Sequence, residues 1–261
     1  MKGIILAGGS GTRLFPNTKV VSKQLLPIYD KPLIYYPLSV LMLMKIKEIL
    51  VITNPAHMKS YQDLLEDGSK WGLSISYAEQ EKPRGIAEAL IIGEKFINGD
   101  YVTLILGDNI FYGNDLIKIL NSKREKGATI YATQVKDPER YGVINFDSAG
   151  KPSDIEEKPI KPRSSWAVTG LYTYPPDCSE LARRILPSKR GEIEITELNN
   201  YYLRTRALSV IQLGRGTAWL DTGTFESMMQ ASQFVQIIQE RTGLKIADLE
   251  EIAQSNGWIN G

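Results

Sequence analysis

Three glycines in four positions follow a short apolar run at the start of the chain. The run is Gly3-Ile4-Ile5-Leu6-Ala7, and Gly8-Gly9-Ser10-Gly11-Thr12-Arg13-Leu14 comes next. The apolar run reads as a buried strand. Glycines after it let backbone N–H groups come close to an anion, with no side chain in the way. Successive N–H groups then form a concave nest that suits phosphate. Arg13 can grip phosphate oxygens with two parallel hydrogen bonds, and Lys23 brings a compact mobile charge. Two common phosphate motifs do not match. A Walker loop needs Gly-Lys-Ser/Thr where Gly11-Thr12-Arg13 stands, and the dinucleotide fingerprint needs a glycine at Leu14. From the residues alone, a phosphate cradle and an ordinary tight strand-to-helix turn both remain open.

The pattern that follows alternates strand and helix. Pro32 to Lys45 reads as a helix, residues 48–53 as a strand, and Met58 to Leu65 as an amphipathic helix. Leu73, Ile75 and Tyr77 mark a strand, and Ile86 to Phe96 a helix. Tyr101 to Leu106 and Ala128 to Val135 are strands. Such alternation predicts an α/β fold, with a mixed, mainly parallel sheet and helices on both faces. Ligands bind such sheets beyond the carboxyl ends of the strands. That places the glycine loop, Gln80 and Asp108 along one edge. The second half is less regular, with strands at 141–146, 168–174 and 208–213 and helices at 181–186, 195–204 and 225–240. The expectation is one domain over 1–261. In it, about 1–135 form a first half, 136–224 a second half, and 225–261 C-terminal helices.

Charge and composition exclude several classes. A formal net charge of +1 gives no global field for nucleic acid or an anionic membrane. The single cysteine, Cys178, excludes an intrachain disulfide and a thiolate cluster. The only histidine, His57, sits at a loop-to-helix junction and reads as structural. The first strand begins at once, with no signal peptide before it, and the apolar stretch Ile34 to Met44 is too short to span a bilayer. The expected compartment is the cytoplasm.

Four further clusters could carry chemistry. Asp108 follows a buried strand, so it can hold Mg²⁺ or close a turn on its own backbone. Asp221, in Ala218-Trp219-Leu220-Asp221-Thr222-Gly223, is a second carboxylate or a helix cap, with Thr224 as a rival cap. Glu156-Glu157-Lys158-Pro159, two acids beside a lysine, reads on its own as a solvated face before it reads as a binding site. Gln80 offers a donor and an acceptor side by side, which suits the imide edge of a pyrimidine, or it is a surface glutamine.

The run Gly8 to Leu14 with Pro16, Thr18, Lys23, Leu26-Pro27 and Lys31-Pro32 resembles the signature of the sugar-1-phosphate nucleotidylyltransferases. The thymidylyl-transferring branch is the most similar, and the likeness covers nearly the whole chain. The resemblance implies transfer of a thymidylyl group from dTTP to α-D-glucose 1-phosphate, or uridylyl transfer from UTP as the nearest rival. It makes about 1–135 the nucleotide-binding half and about 136–224 the sugar-binding half, and it assigns catalytic roles to Arg13, Lys23 and Lys158. Gly8, Gly9, Gly11, Thr12, Arg13, Lys23, Gln80 and Gly85 would bind the nucleotide. Asn109, Tyr141, Gly142, Glu157, Lys158 and Val168 would bind the sugar phosphate. Asp108 and Asp221 would hold Mg²⁺. It also implies a homo-oligomer, a dimer or tetramer, acting on small molecules.

Two departures stand out. Arg84-Gly85-Ile86-Ala87-Glu88-Ala89 replaces the family's neutral or acidic spacer and its Leu-Ala-Gln-Ala, which places an arginine beside the expected base pocket. The chain also ends at Gly261, before the family's usual tail, so weak or absent feedback control is expected.

Overall fold

The computed structural model describes residues 1–9, 11–122 and 126–260. Ser10 of the glycine run lies outside them. The chain forms two compact units, and it passes back and forth between them. One contains Met1–Pro83, Ile105–Asn121 and Gly216–Gly261, the other Arg84–Leu104 and Ser122–Arg215.

The first unit is built on three parallel strands in the order Lys2–Ala7, Glu48–Thr53, Ser74–Glu79. Ile4, Ile5, Ile49, Val51 and Ile52 have no appreciable exposure, as the continuous apolar runs of a parallel sheet require. Helix Met58–Leu65 packs on the third strand. A helix is expected over Pro32 to Lys45 but occupies only Tyr35–Leu43, because Lys31–Pro32 is drawn into a short hairpin with Pro27–Ile28.

A second, two-stranded antiparallel sheet in this unit joins Asn109–Gly113 to Thr217–Asp221. It rests on a core of Ile28, Leu33, Tyr36, Ile110, Ala231 and Val235. The last two residues belong to the long helix Phe225–Thr242. A reciprocal cap between Thr224 and Ser227 starts this helix, and Gly243 in the left-handed conformation ends it. These are the usual satisfiers of orphaned helix-end groups.

The second unit is mixed. Strand Trp166–Tyr174 pairs antiparallel with Ala128–Gln134 and with Gly142–Phe146. Pro152–Glu157 pairs antiparallel with Gly142–Phe146, and Leu208–Gln212 runs parallel to Ala128–Gln134. Helices Cys178–Arg184 and Ile195–Arg204 pack against each other. The helix expected over Ile86 to Phe96 is two short pieces, Glu88–Ile92 and Glu94–Ile97, broken at Gly93. The helix expected over 181–186 ends at Arg184, since Pro187 disfavours helix at the residue before it. Across the chain the expected α/β class, a mixed and mainly parallel sheet layered with helices, is what forms. Among the described residues no helix is long and apolar enough to cross a membrane.

Candidate active site

Strand Lys2–Ala7 delivers the chain directly into the glycine loop. Gly9 has φ 112° and Gly11 φ 58°, a region costly to any residue with a Cβ. Gly11 opens a one-turn helix, Thr12–Leu14, and its carbonyl accepts from Thr18 Oγ1 at 2.7 Å. At Gly8 the need is space rather than conformation. A Cβ there would lie 2.4 Å from Gln80 Oε1. Gln80 therefore covers Gly8, and it is only 5% exposed at the end of strand Ser74–Glu79.

Asp108 reaches the same place by a different route. Gly107 N–H donates to the Leu6 carbonyl at 2.9 Å. A Cβ on Gly107 would sit 3.0 Å from that carbonyl oxygen, so the close approach needs glycine. Asp108 then precedes strand Asn109–Gly113, whose register sets Asn109 opposite Asp221. Thr222 Oγ1 donates to the Asp108 carbonyl at 2.9 Å. A two-stranded sheet thus brings together two aspartates far apart in sequence.

Lys23 Nζ donates to Asp108 Oδ2 at 2.6 Å, and Asn109 Nδ2 to Asp108 Oδ1 at 2.8 Å. Trp219 Nε1 in turn holds Asn109 Oδ1 at 2.6 Å. Burial pushes the Asp108 carboxyl up, but the Lys23 charge and these hydrogen bonds outweigh it and leave it below the ordinary carboxylate range. Gly8, Gly9, Gly11, Thr12, Arg13, Lys23, Asp108 and Asp221 line one cavity of about 240 Å³. Gln24 lines it too. The sequence offered no signal for Gln24, because its importance comes from tertiary contacts.

The donor set fits a divalent cation of the Mg²⁺ type. Two carboxylates share the cavity, and among the described residues no third His, Cys, Asp or Glu joins them as a cluster. Mg²⁺ at phosphoryl sites takes one or two carboxylates and completes its shell with phosphate oxygens and water.

Gln80 and Asn109 also belong to the first unit, and the second contains Gly85, Tyr141, Gly142, Glu157, Lys158 and Val168. Glu157 pairs in register with Gly142 across the antiparallel strands. Glu157 Oε2 accepts from Thr196 Oγ1 at 2.5 Å. Its other oxygen lies 3.6 Å from Lys158 Nζ and 3.4 Å from Arg190 Nη2. A Cβ on Gly142 would stand 3.2 Å from Thr196 Oγ1, so this glycine leaves room for that contact. Lys158 adopts φ 44°, a conformation costing an L-residue about 1–2 kcal/mol. The bond from Lys158 N–H to the Tyr141 carbonyl at 2.9 Å holds it there. Val168 is buried on strand Trp166–Tyr174.

Arg190 and Thr196 were not singled out from the sequence. Arg190 is fastened by Glu194, with Nη2 2.9 and 3.0 Å from its two oxygens. Glu157, Arg190 and Glu194 also wall a cavity of about 690 Å³ floored by Leu181 and Leu198.

Gly85 adopts φ 105°, in the left-handed region that favours glycine. A Cβ there would fall 2.4 Å from the Ile193 carbonyl oxygen. Arg84, the departure noted above, is held by Glu88, with Nε 2.7 Å from its carboxylate. Burial pushes the Cys178 thiol up to about 12, so it supplies no thiolate near neutral pH. His57 ends a one-turn helix at the surface.

The sequence model of the nucleotidyl transferases matches residues 2–237. A glucose-1-phosphate thymidylyltransferase of Neisseria meningitidis serogroup A is 58% identical over all of this chain and 91% of its own length. One from Mycobacterium tuberculosis is 51% identical over the same shares. Among solved structures, a Bacillus anthracis chain assigned as a glucose-1-phosphate thymidylyltransferase superposes with TM-score 0.83 at 41% identity. The match covers 90% of this chain and 94% of that one. A UDP-glucose pyrophosphorylase complexed with UDP-glucose gives TM-score 0.80 at 25% identity, over 91% and 98%. With a family model that spans most of the chain and relatives more than half identical over all of it, the chain belongs to the nucleotidyl transferase family.

Proposed function

We propose that the chain transfers a thymidylyl group from dTTP to α-D-glucose 1-phosphate, forming dTDP-glucose and pyrophosphate. The observation that carries this reading is the cavity shared by the glycine loop, Arg13, Lys23, Asp108 and Asp221. The activity by which relatives more than half identical over the whole chain are known supports it.

In this reading the first unit holds the triphosphate. N–H groups of Gly8, Gly9 and Gly11 and the Arg13 fork bind its phosphates. Arg13 stabilises the leaving pyrophosphate, and Lys23 neutralises the oxygens beside it. Gln80, fixed against Gly8, reads the base. In the second unit, Glu157 and the backbone of Tyr141, Gly142 and Val168 accept from sugar hydroxyls, whose donors need partners once water is excluded. Asn109 is assigned to the sugar phosphate as well. Lys158 orients the attacking phosphate. That phosphate is already an anion near neutral pH, so no general base is required. Asp108 and Asp221 would hold Mg²⁺, which supplies Lewis-acid charge neutralisation to the phosphates when bound. Most of the catalysis is therefore positioning and preorganised charge.

Uracil lacks only the thymine methyl group, and one methyl discriminates by roughly 1–3 kcal/mol. Pyrophosphate release with glucose 1-phosphate and each of dTTP, UTP, CTP, ATP and GTP tests the reading. The highest kcat/KM is expected with dTTP, followed by UTP. A preference for a purine triphosphate would overturn the assignment of the base site.

A further inference from the structure

Gln24 lines the first-unit cavity, and its amide has a donor end and an acceptor end. The end presented to the cavity decides whether it attracts or repels a phosphate. Gln24 Oε1 accepts from Ser22 Oγ at 2.8 Å and from the Tyr61 hydroxyl at 3.2 Å. The two hydroxyls are themselves 2.8 Å apart. The other end of the amide lies 3.5 Å from the Gly8 carbonyl. A carbonyl can only accept, so the nitrogen must face Gly8, and the network fixes the amide orientation.

Tyr61 is completely buried, on helix Met58–Leu65 rather than in the glycine motif. Its hydroxyl also lies 3.5 Å from the Ala7 carbonyl, at the point where the first strand becomes the glycine loop. Phenylalanine would fill the same space. The hydroxyl's contacts to Ser22, Gln24 and Ala7 go to the two segments that border the phosphate cavity, and Thr53 on the neighbouring strand is a further partner. Burial raises the phenol above its ordinary range, which keeps it a neutral donor near neutral pH.

We propose that Tyr61 is a positioning residue for the nucleotide phosphates. Together with Ser22 it holds Gln24 Oε1 away from the cavity, so that the donor end of the amide, not its oxygen, is on the side of the anion. The proposal rests on reading this cavity as the triphosphate site.

The test is steady-state kinetics with Tyr61→Phe, Ser22→Ala and Gln24→Ala, and with Tyr61→Phe combined with Gln24→Ala. A lost hydrogen bond of ordinary strength predicts a rise of about three- to tenfold in KM for dTTP with Tyr61→Phe. KM for glucose 1-phosphate should stay unchanged. Because Tyr61 acts through Gln24, the double variant should be no worse than Gln24→Ala alone. Additive losses, equal rises in both KM values, or an unchanged KM for dTTP would overturn the proposal. If Tyr61→Phe fails to fold, Ser22→Ala carries the same expectation in the same cycle with Gln24→Ala. Arg13→Ala separates the two levels. If it too leaves KM for dTTP unchanged, the cavity is not the triphosphate site and the proposal falls with that reading. If it raises KM while Tyr61→Phe does not, only the positioning role fails.

Discussion

Asp108 concentrates the electrostatics of the first unit, because Lys23 and Asn109 each claim one of its oxygens. Asp108→Asn keeps the shape and removes the charge. A loss of about 3 kcal/mol of transition-state stabilisation would slow catalysis about a hundredfold, and Asp221→Asn should act alike. The two together should cost less than their sum, since residues that act as one unit are not additive. Steady-state rates at saturating and limiting Mg²⁺ check this. The same carboxylate has a pH signature. Despite burial, the Lys23 charge and the hydrogen bonds hold it below the ordinary carboxylate range, so its contribution to stability is present above that range. The contribution is lost as pH falls through the depressed pKa. Thermal unfolding of wild type against Asp108→Asn should therefore show a constant gap from pH 7 to about 5, closing only on further acidification. Lys158 differs in kind, as an exposed cation on a left-handed backbone. Lys158→Ala should raise KM for glucose 1-phosphate and lower kcat. Lys158→Arg should rescue only partly, because a planar fork does not replace a point charge.

The two-stranded sheet Asn109–Gly113 with Thr217–Asp221 does the assembling at the scale of elements. A Cβ on Gly113 would come 2.6 Å from the Gly216 carbonyl oxygen and 2.9 Å from Thr217 Cα. Both are backbone atoms, so Gly113→Ala must push the strands apart. Overpacking of this kind costs about 1–3 kcal/mol. Urea unfolding should show that loss, and kcat should fall because Asp221 shifts relative to Asp108. This pairing was the least legible part of the sequence. Asp108-Asn109-Ile110-Phe111-Tyr112 reads locally as a turn followed by an apolar patch, and its partner strand lies about a hundred residues away, where periodicity carries no information. Pro152–Glu157 was hidden for a similar reason. It is polar and only Ile155 is buried, so it lacks the alternation of a half-buried strand. Helices Met58–Leu65 and Ile195–Arg204 were readable to the residue because their apolar spacing is local.

On the scale of the whole molecule, the residues expected to hold each substrate collect largely by unit, although the units interleave along the chain. Gly8, Arg13, Lys23, Asp108 and Asp221 belong to one, and Tyr141, Glu157, Lys158 and Val168 to the other. The glycine run and Arg13 carried a local signal, whereas Tyr141, Glu157, Lys158 and Val168 were marked only by the resemblance. Gln24, Arg190 and Thr196 stayed silent, because a buried amide, an arginine and a threonine gain meaning only from what the fold sets beside them. The central claim is that the sugar phosphate itself attacks the α-phosphorus of dTTP. Glucose 1-phosphate labelled with oxygen-18 on its phosphate tests it most directly, with the products separated and weighed by mass spectrometry. The account predicts that all the label stays in dTDP-glucose, with one unlabelled pyrophosphate released per molecule formed. Label in the pyrophosphate, or consumption of dTTP without a coupled sugar product, would contradict it.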